Sequence, residues 1–312
     1  MLKKILYLLL LAMVIFIGWR WLAAKPAPDT GLQFPIPAIN DSGQPRPLII
    51  SHADDSGQGL YPGNTREFLQ QMAALKVDSL EMDIHATADG ELVLMHDDTV
   101  DRTTDGNGAI RDLTLAQLRE LNVAHNWTQD GKTFPYRENP QKILTLDEVF
   151  ETFPRYPMVI ELKTPDPAAA DSLCRTVRAF NKSNQVIISS FHQPAIDAFR
   201  EHCPHVATGA GSDEVRLFAI ASRLKAMRLV TPRYQALHIP VEYNGIKLIS
   251  PESVEQAQSR GIRVDVWTVN EEEEMRRLAE MGVDGIMTDR PDRLRKVLDE
   301  MEAEKKLNAE MQ

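Results

Sequence analysis

The chain has 312 residues, enough for one α/β barrel of ~250 residues with a short leader, and its 43% hydrophobic and 26% charged content excludes extensive disorder. The formal net charge is -10, and the first 24 residues contribute only positive groups (Lys3, Lys4 and Arg20), so the remaining body is more acidic still. That balance argues against nucleic acid as a partner and against adhesion to anionic lipid without an anchor, although local cations still decide what a pocket binds.

In chain order, Lys3 and Lys4 precede an apolar run from Ile5 to Trp19, followed by Arg20, Trp21 and Leu22-Ala23-Ala24. Extended to Ala24 the run reaches the ~20 residues a membrane span needs, with Arg20 snorkelling between interfacial tryptophans. Residues 1–24 are therefore expected to be a retained membrane anchor. A cleaved signal peptide is the competing reading, with Ala23-Ala24 as a weak cleavage site. Positive charge ahead of the run places the body on the extracytoplasmic, periplasmic side, and a cleaved leader would release it there. The Pro-rich residues 25–46 read as a linker.

Short apolar runs at Leu48–His52, Ser79–Ile84, Leu92–Met95, Met158–Lys163, Val186–Phe191, Val206–Gly209, Ala236–Ile239, Arg263–Val269 and Gly285–Thr288 read as buried strands. Most alternate with helical periodicity, as at Asn64–Lys76, Thr145–Thr152, Ala168–Asn181, Gln193–His202, Asp213–Met227, Pro251–Arg260 and Glu271–Met281. Alternation of this kind predicts βαβ units, and about eight of them predict closure into a (β/α)8 TIM barrel over residues 47–298. An open doubly wound sheet is the alternative. The stretch Arg119–Gln141 breaks the alternation and reads equally as a pocket cover or a surface excursion. Residues 299–312 read as a charged tail, either a solvated helix extension or frayed. Cys174 and Cys203 are expected to be unpaired, because spacing alone supplies no bridge geometry.

Chemistry concentrates after the first strands. Glu81 and Asp83 lie two apart on a strand and so share a face, and Glu161 and Lys163 do the same further on. Charges at the end of an apolar strand are costly unless a site uses them, and barrel sites lie at the strands' C-terminal ends. Three carboxylates without cysteine suit a hard divalent cation, Mg²⁺ or Ca²⁺. Lys163 offers charge to a phosphate oxygen, while His52 and His96, also ending strands, can supply a base and an acid. His85 is read as structural and as facing away from Asp83; His125 and His192 are rim positions.

The ordered residues His52, Pro62-x-Asn64-Thr65, Glu81-x-Asp83, Thr87-x-Asp89-Gly90, His96-Asp97, Arg102-Thr103-Thr104, Thr145-Leu146-x-Glu148, Glu161-x-Lys163, Ser190-Phe191, Trp267-Thr268-Val269-Asn270 and Gly282 to Pro291 resemble the glycerophosphodiester phosphodiesterase family from about Ile49 to Leu294. The resemblance implies metal binding by Glu81, Asp83 and Glu161, an acid/base pair in His52 and His96, a phosphate contact from Lys163, and pocket walls from Trp267 and Phe191. It implies hydrolysis of a glycerophosphodiester to an alcohol and sn-glycerol 3-phosphate. Lysophospholipase D-type cleavage of membrane lipids and a catalytically silent binding barrel are the alternatives. Two departures stand out: Ala53 where the family has Arg, and Gly63 where it has Glu. Losing that Arg removes a bidentate phosphate contact, for which Arg102 or Arg66 is a candidate substitute. Asp54 and Asp55 add negative charge beside it and are expected to face solvent, with the binding of a second cation as the alternative. Aldolase chemistry at Lys163 is disfavoured, since a Schiff-base lysine wants desolvation without acidic neighbours.

Overall fold

The computed structural model describes residues 2–34, 38–39, 43, 45–54 and 56–311. Asp55, whose orientation the sequence analysis addressed, lies outside the described residues. Eight parallel strands carry the fold: β1 (Leu48–Ser51), β2 (Ser79–Ala86), β3 (Met158–Leu162), β4 (Val186–Ser189), β5 (Ala207–Thr208), β6 (Ala236–Pro240), β7 (Arg263–Trp267) and β8 (Gly285–Thr288). They pair in the order β5-β4-β3-β2-β1-β8-β7-β6. The ring closes where Gln235 N donates to Thr208 O (2.9 Å) and Ala210 N donates to Ala236 O (2.9 Å), which settles barrel over open sheet. The remaining run, Leu92–Leu94, pairs antiparallel with the end of β2 and stays outside the ring.

Each strand is followed by an outer helix: α1 (Arg66–Ala74), α2 (Leu146–Thr152), α3 (Pro167–Ala179), α4 (Gln193–His202), α5 (Ser212–Arg223), α6 (Pro251–Gln258), α7 (Glu272–Met281) and α8 (Pro291–Glu310). Strand residues alternate between two apolar layers. One layer lies between strands and helices and includes Leu80, Met82, Ile160, Val264 and Val266; the other fills the barrel floor with Leu48, Ile50, Val159, Ile187, Ala236 and Met287. Phe34 joins the floor layer from the N-terminal segment, so residues 24–34 plug the closed end of the barrel. Ala27 N donates to Arg260 O (2.8 Å) and Gln33 N to Asn184 O (2.7 Å), tying that strap to the loops beneath the strands. The preceding helix, Leu2–Ala23, has an apolar stretch Ile5–Ala23 of mean hydropathy 2.2, none of it buried against the barrel.

The cysteine expectation changes on contact with the structure. Cys174 on α3 and Cys203 at the end of α4 form a disulfide, with Cα atoms 5.8 Å apart. Their 29-residue separation carried no sign of this, because only the side-by-side packing of α3 and α4 brings them together. Changing both to Ala is expected to lower stability by about 3–4 kcal/mol on loop-closure entropy, read as a drop in urea midpoint relative to wild type. An unchanged midpoint would refute that contribution. The charged C-terminal stretch, for its part, continues α8 to Glu310, burying Met301 and pairing Arg276 with Glu300 (3.4 Å) and Glu304 (2.8 Å). Of the two tail readings the helix extension describes it, and the boundary expected at residue 298 falls within α8.

Candidate active site

The C-terminal ends of the strands open into a cleft of about 350 Å³ whose lining includes His52, Glu81, Asp83, His96, Glu161, Lys163, Phe191 and Trp267, every residue to which the family resemblance gives a metal, proton-transfer, phosphate or wall role. Their convergence follows from register. Asp83 on β2 stands opposite Glu161 on β3, so the carboxylates point to one rung of the barrel interior. Lys163 Nζ lies 3.1 Å from Asp83 Oδ1 and 3.1 Å from Glu161 Oε2. Its pKa is raised, because these two carboxylates outweigh the burial that would lower it. Glu81 and Glu161 are pushed toward protonation, first by burial and then, against the relief Lys163 gives Glu161, by the charge of Asp83.

Asn64 holds this set in place. Its Nδ2 donates to Asp83 Oδ2 (3.0 Å) and its Oδ1 accepts from Asp83 N (3.0 Å), from a backbone at φ 59° that asparagine tolerates well. Asn64 thus ties the first loop to the Asp83 carboxylate. Ala53 N donates to Glu81 Oε2 (2.8 Å).

Each histidine is braced by a carboxylate. His52 Nδ1 is 2.6 Å from Asp289 Oδ1, and Asn270 Nδ2 donates to Asp289 Oδ2 (2.5 Å). Burial lowers the His52 pKa, but the Asp289 hydrogen bond and the charges of Glu81, Asp289 and Asp83 more than offset this and raise it to about 9. His96 Nδ1 is 2.8 Å from Asp97 Oδ1, while Arg102 Nε donates to Asp97 Oδ2 (2.6 Å). The Arg102 hydrogen bond is the main reason Asp97 falls to about 2. Asp289 and Asn270 stood within quoted motifs without an assigned role; an Asp and an Asn just after strand ends, like the histidines, were the available signal.

Phe191 and Trp267 meet edge to face, with ring centroids 5.8 Å apart, and Phe191 is 52% exposed at the mouth. His85 faces the same side as Asp83, contrary to expectation, since residues two apart on a strand share a face. It remains structural in its contacts: Nε2 lies 3.2 Å from His96 O, and burial lowers its pKa. His125 is 3.9 Å from Asp105 and His192 caps α4, and neither lines the cleft. The Arg119–Gln141 excursion braces the first loop from outside through Gln129 Nε2 and Gly59 O (2.8 Å).

The two departures are linked in space. A Cβ at Gly63 would lie 2.2 Å from Ala53 O and 2.6 Å from Asp54 O, so no side chain fits there as the loop is built. Asp54 is buried rather than solvent-facing, accepting from Ser56 N and Gly59 N (both 2.8 Å). Arg66 reaches Thr152 (3.4 Å) and Arg102 is engaged by Asp97, so neither replaces the missing Arg in the cleft; Arg216 of α5 lines it instead. Gly63→Glu is expected to cost about 1–3 kcal/mol through overpacking, read as a lower urea midpoint; an unchanged midpoint would show that the loop re-routes freely.

Fold and site together define a (β/α)8 enzyme whose cleft sets two carboxylate-braced histidines beside three strand-borne carboxylates. Over residues 56–293 the sequence matches the glycerophosphoryl diester phosphodiesterase family. It is 31% identical over 258 residues to a glycerophosphodiester phosphodiesterase of Caldanaerobacter subterraneus subsp. tengcongensis, covering 79% of this chain and 96% of that one. A human lysophospholipase D is 26% identical over 283 residues, 80% of this chain and 85% of that one. The fold is shared with a glycerophosphoryl diester phosphodiesterase domain of Mycobacterium tuberculosis (TM-score 0.71, 20% identity, 81% and 98% covered). An Oleispira antarctica phosphodiesterase, solved with the product sn-glycerol-3-phosphate, also shares it (TM-score 0.62, 24% identity, 81% and 97% covered). The chain belongs to the glycerophosphoryl diester phosphodiesterase family.

Proposed function

We propose that this chain hydrolyses glycerophosphodiesters to an alcohol and sn-glycerol 3-phosphate, with Glu81, Asp83 and Glu161 holding a divalent cation, Mg²⁺ or Ca²⁺. One observation carries this: three buried or half-buried carboxylates from adjacent strands face one cleft, two of them pushed toward protonation, beside two carboxylate-braced histidines. Among the described residues, no three His, Cys, Asp or Glu side chains stand close enough to enclose an ion, and Lys163 is the cation between Asp83 and Glu161. The all-oxygen donor set and its surplus of negative charge nevertheless fit a hard divalent ion. When bound, such an ion polarises the phosphoryl oxygen and draws off developing charge.

The protein's own groups supply the rest. Lys163 neutralises phosphate charge from within the carboxylate set. His52 and His96 move the protons, one taking a proton from the water whose oxygen bonds to phosphorus and the other giving a proton to the alkoxide as its P–O bond breaks. Asp289 and Asp97 fix the rings so that each Nε2 is directed away from its brace. Trp267 and Phe191 exclude water from the side where the organic part rests.

A second reading, cleavage of lysophospholipids, is favoured by the apolar extension of the cleft beyond Trp267, lined by Val215, Ala219, Ile239, Leu248 and Tyr243. Turnover of glycerophosphocholine and lysophosphatidylcholine by the full chain in detergent, followed by ³¹P NMR, separates the two. Release of sn-glycerol 3-phosphate at the higher kcat/KM supports the first reading, and preferential lysophosphatidic acid release would replace it. Turnover of neither by folded protein would favour a silent barrel.

The apolar N-terminal helix is assigned as an anchor holding the barrel by its floor on the extracytoplasmic side, where an oxidising environment suits the Cys174–Cys203 bridge. Alkaline carbonate extraction of membranes is expected to leave the chain in the pellet; release into the supernatant would favour the cleaved leader.

A further inference from the structure

A second polar constellation fills the middle of the barrel, beside the carboxylates but separate from them. Ser189 on β4 stands opposite Glu161 in register, and His238 on β6 stands opposite Asp265 on β7. His238 Nδ1 is 2.7 Å from Ser189 Oγ, its Nε2 is 3.2 Å from Asp265 Oδ2, and Arg263 Nη2 donates to Asp265 Oδ1 (2.8 Å). The chain Arg263–Asp265–His238–Ser189 thus runs from the floor, where Phe34 lies 5.3 Å from the Arg263 guanidinium, to the substrate cleft, which both His238 and Ser189 line.

Such a chain is expensive. Asp265 is fully buried and Arg263 nearly so, in a layer that barrels ordinarily fill with Val, Ile and Leu. Apolar residues of similar volume would be neutral or stabilising there. The backbone also makes room for it. A Cβ at Gly209 would lie 2.5 Å from Ser189 Oγ, and one at Gly285 would lie 2.3 Å from Asp265 Oδ1. Two glycines whose missing side chains leave space for one relay point to selection for the relay, not for packing.

Proton positions follow from the partners. Asp265 is ionised: burial raises its pKa, but Arg263 and His238 more than offset that and hold it low. The His238 Nε2–Oδ2 contact is short but angled, and neither atom has another hydrogen-bond partner among the described residues. The Nε2 proton therefore belongs on the Asp265 side. Nδ1 is left to accept the Ser189 hydroxyl proton, and Ser189 presents lone pairs to the cleft.

We propose that Ser189 accepts a hydrogen bond from a hydroxyl of the substrate's glycerol half, and that His238 and Asp265 are positioning residues that keep it an acceptor. The glycerol half is the invariant one, and it suits the inner wall of the cleft at Ser189, opposite Glu161. The variable alcohol suits the mouth beside exposed Phe191. This assignment rests on the glycerophosphodiesterase reading, so its test is a binding comparison that needs no turnover.

Calorimetry on the full chain in detergent with Mg²⁺ would compare glycerol 3-phosphate with ethyl phosphate, which lacks the hydroxyls. In wild type glycerol 3-phosphate is expected to bind the tighter. Ser189→Ala is expected to weaken it about tenfold, the worth of one hydrogen bond, with ethyl phosphate changed less than about twofold. His238→Gln is expected to shift the same ratio in the same direction, and the double variant to add little to Ser189→Ala alone. Equal weakening of both ligands, no change in either, or a wild type without preference would overturn the assignment. Absent turnover of any glycerophosphodiester would instead sink the functional reading, while the affinity ratio still decides the relay.

Discussion

Glu81→Gln is expected to lower kcat/KM for glycerophosphocholine by about a thousandfold or more, ~4 kcal/mol of transition-state stabilisation, because charge stabilisation at the reacting centre is commonly the largest single catalytic effect. Gln keeps the shape and can still accept from Ala53 N, as Glu81 Oε2 does at 2.8 Å, so the fold is preserved while the donor set loses a charge. The same change removes the cost of burying a charge and the repulsion with Asp83, which together push Glu81 toward protonation, so the variant is expected to be at least as stable as wild type. Loss of activity together with an unchanged or higher urea midpoint is the signature of a functional carboxylate. An equal fall in stability would point to packing, and activity within tenfold of wild type would remove Glu81 from the site.

His52→Ala is expected to cost about 10²–10⁴-fold in kcat, the range typical of a general acid or base. Asp289→Asn should act through the same ring. The Asn270–Asp289–His52 chain is closed by contacts of 2.5 and 2.6 Å, so loss of the carboxylate frees the imidazole to turn and lowers its basicity. We expect most of the His52 loss in Asp289→Asn and little further loss in the double variant. Additive losses would show that Asp289 acts independently of His52. His96→Ala, by contrast, should add to His52→Ala, since its own brace is Asp97 and Arg102.

Much of this was legible because strand periodicity is strict. Once Glu81 and Asp83 were placed on one strand, two residues apart, their shared face followed, and the same rule placed Glu161 with Lys163. Alternating strands and helices conveyed the barrel, but closure rests on hydrogen bonds from Gln235 and Ala210, which no local pattern reveals. Part of the family resemblance turns out to serve folding. Thr145 and Glu148 form a capping box at the start of α2, and Thr87, Asp89 and Gly90 make the turn after β2. Asp284 accepts from Val264 N (2.7 Å), joining β7 to β8.

The misses have physical causes as well. His85 continues the period of two set by Glu81 and Asp83 and so shares their face of β2, where its contact to His96 O keeps it structural. The disulfide depends on which helices become neighbours. Asp54 looked like a solvent-facing charge, yet the loop folds its own amides onto it. The relay through Ser189, His238 and Asp265 was open to the same argument that found Glu81. In Arg263-Val-Asp265-Val-Trp267 the polar residues fall on one face of an otherwise apolar strand, and a charge there is costly unless it is used.

The proposed divalent cation on Glu81, Asp83 and Glu161 works with His52 and His96 on a phosphodiester. The most direct test is hydrolysis of glycerophosphocholine by the full chain, measured before chelation with EDTA, after it, and after restoring Mg²⁺ or Ca²⁺, with His52→Ala alongside. Activity that vanishes on chelation, returns with one of the two ions and stays absent in His52→Ala is the predicted result. Hydrolysis indifferent to EDTA, or surviving in His52→Ala, would contradict it.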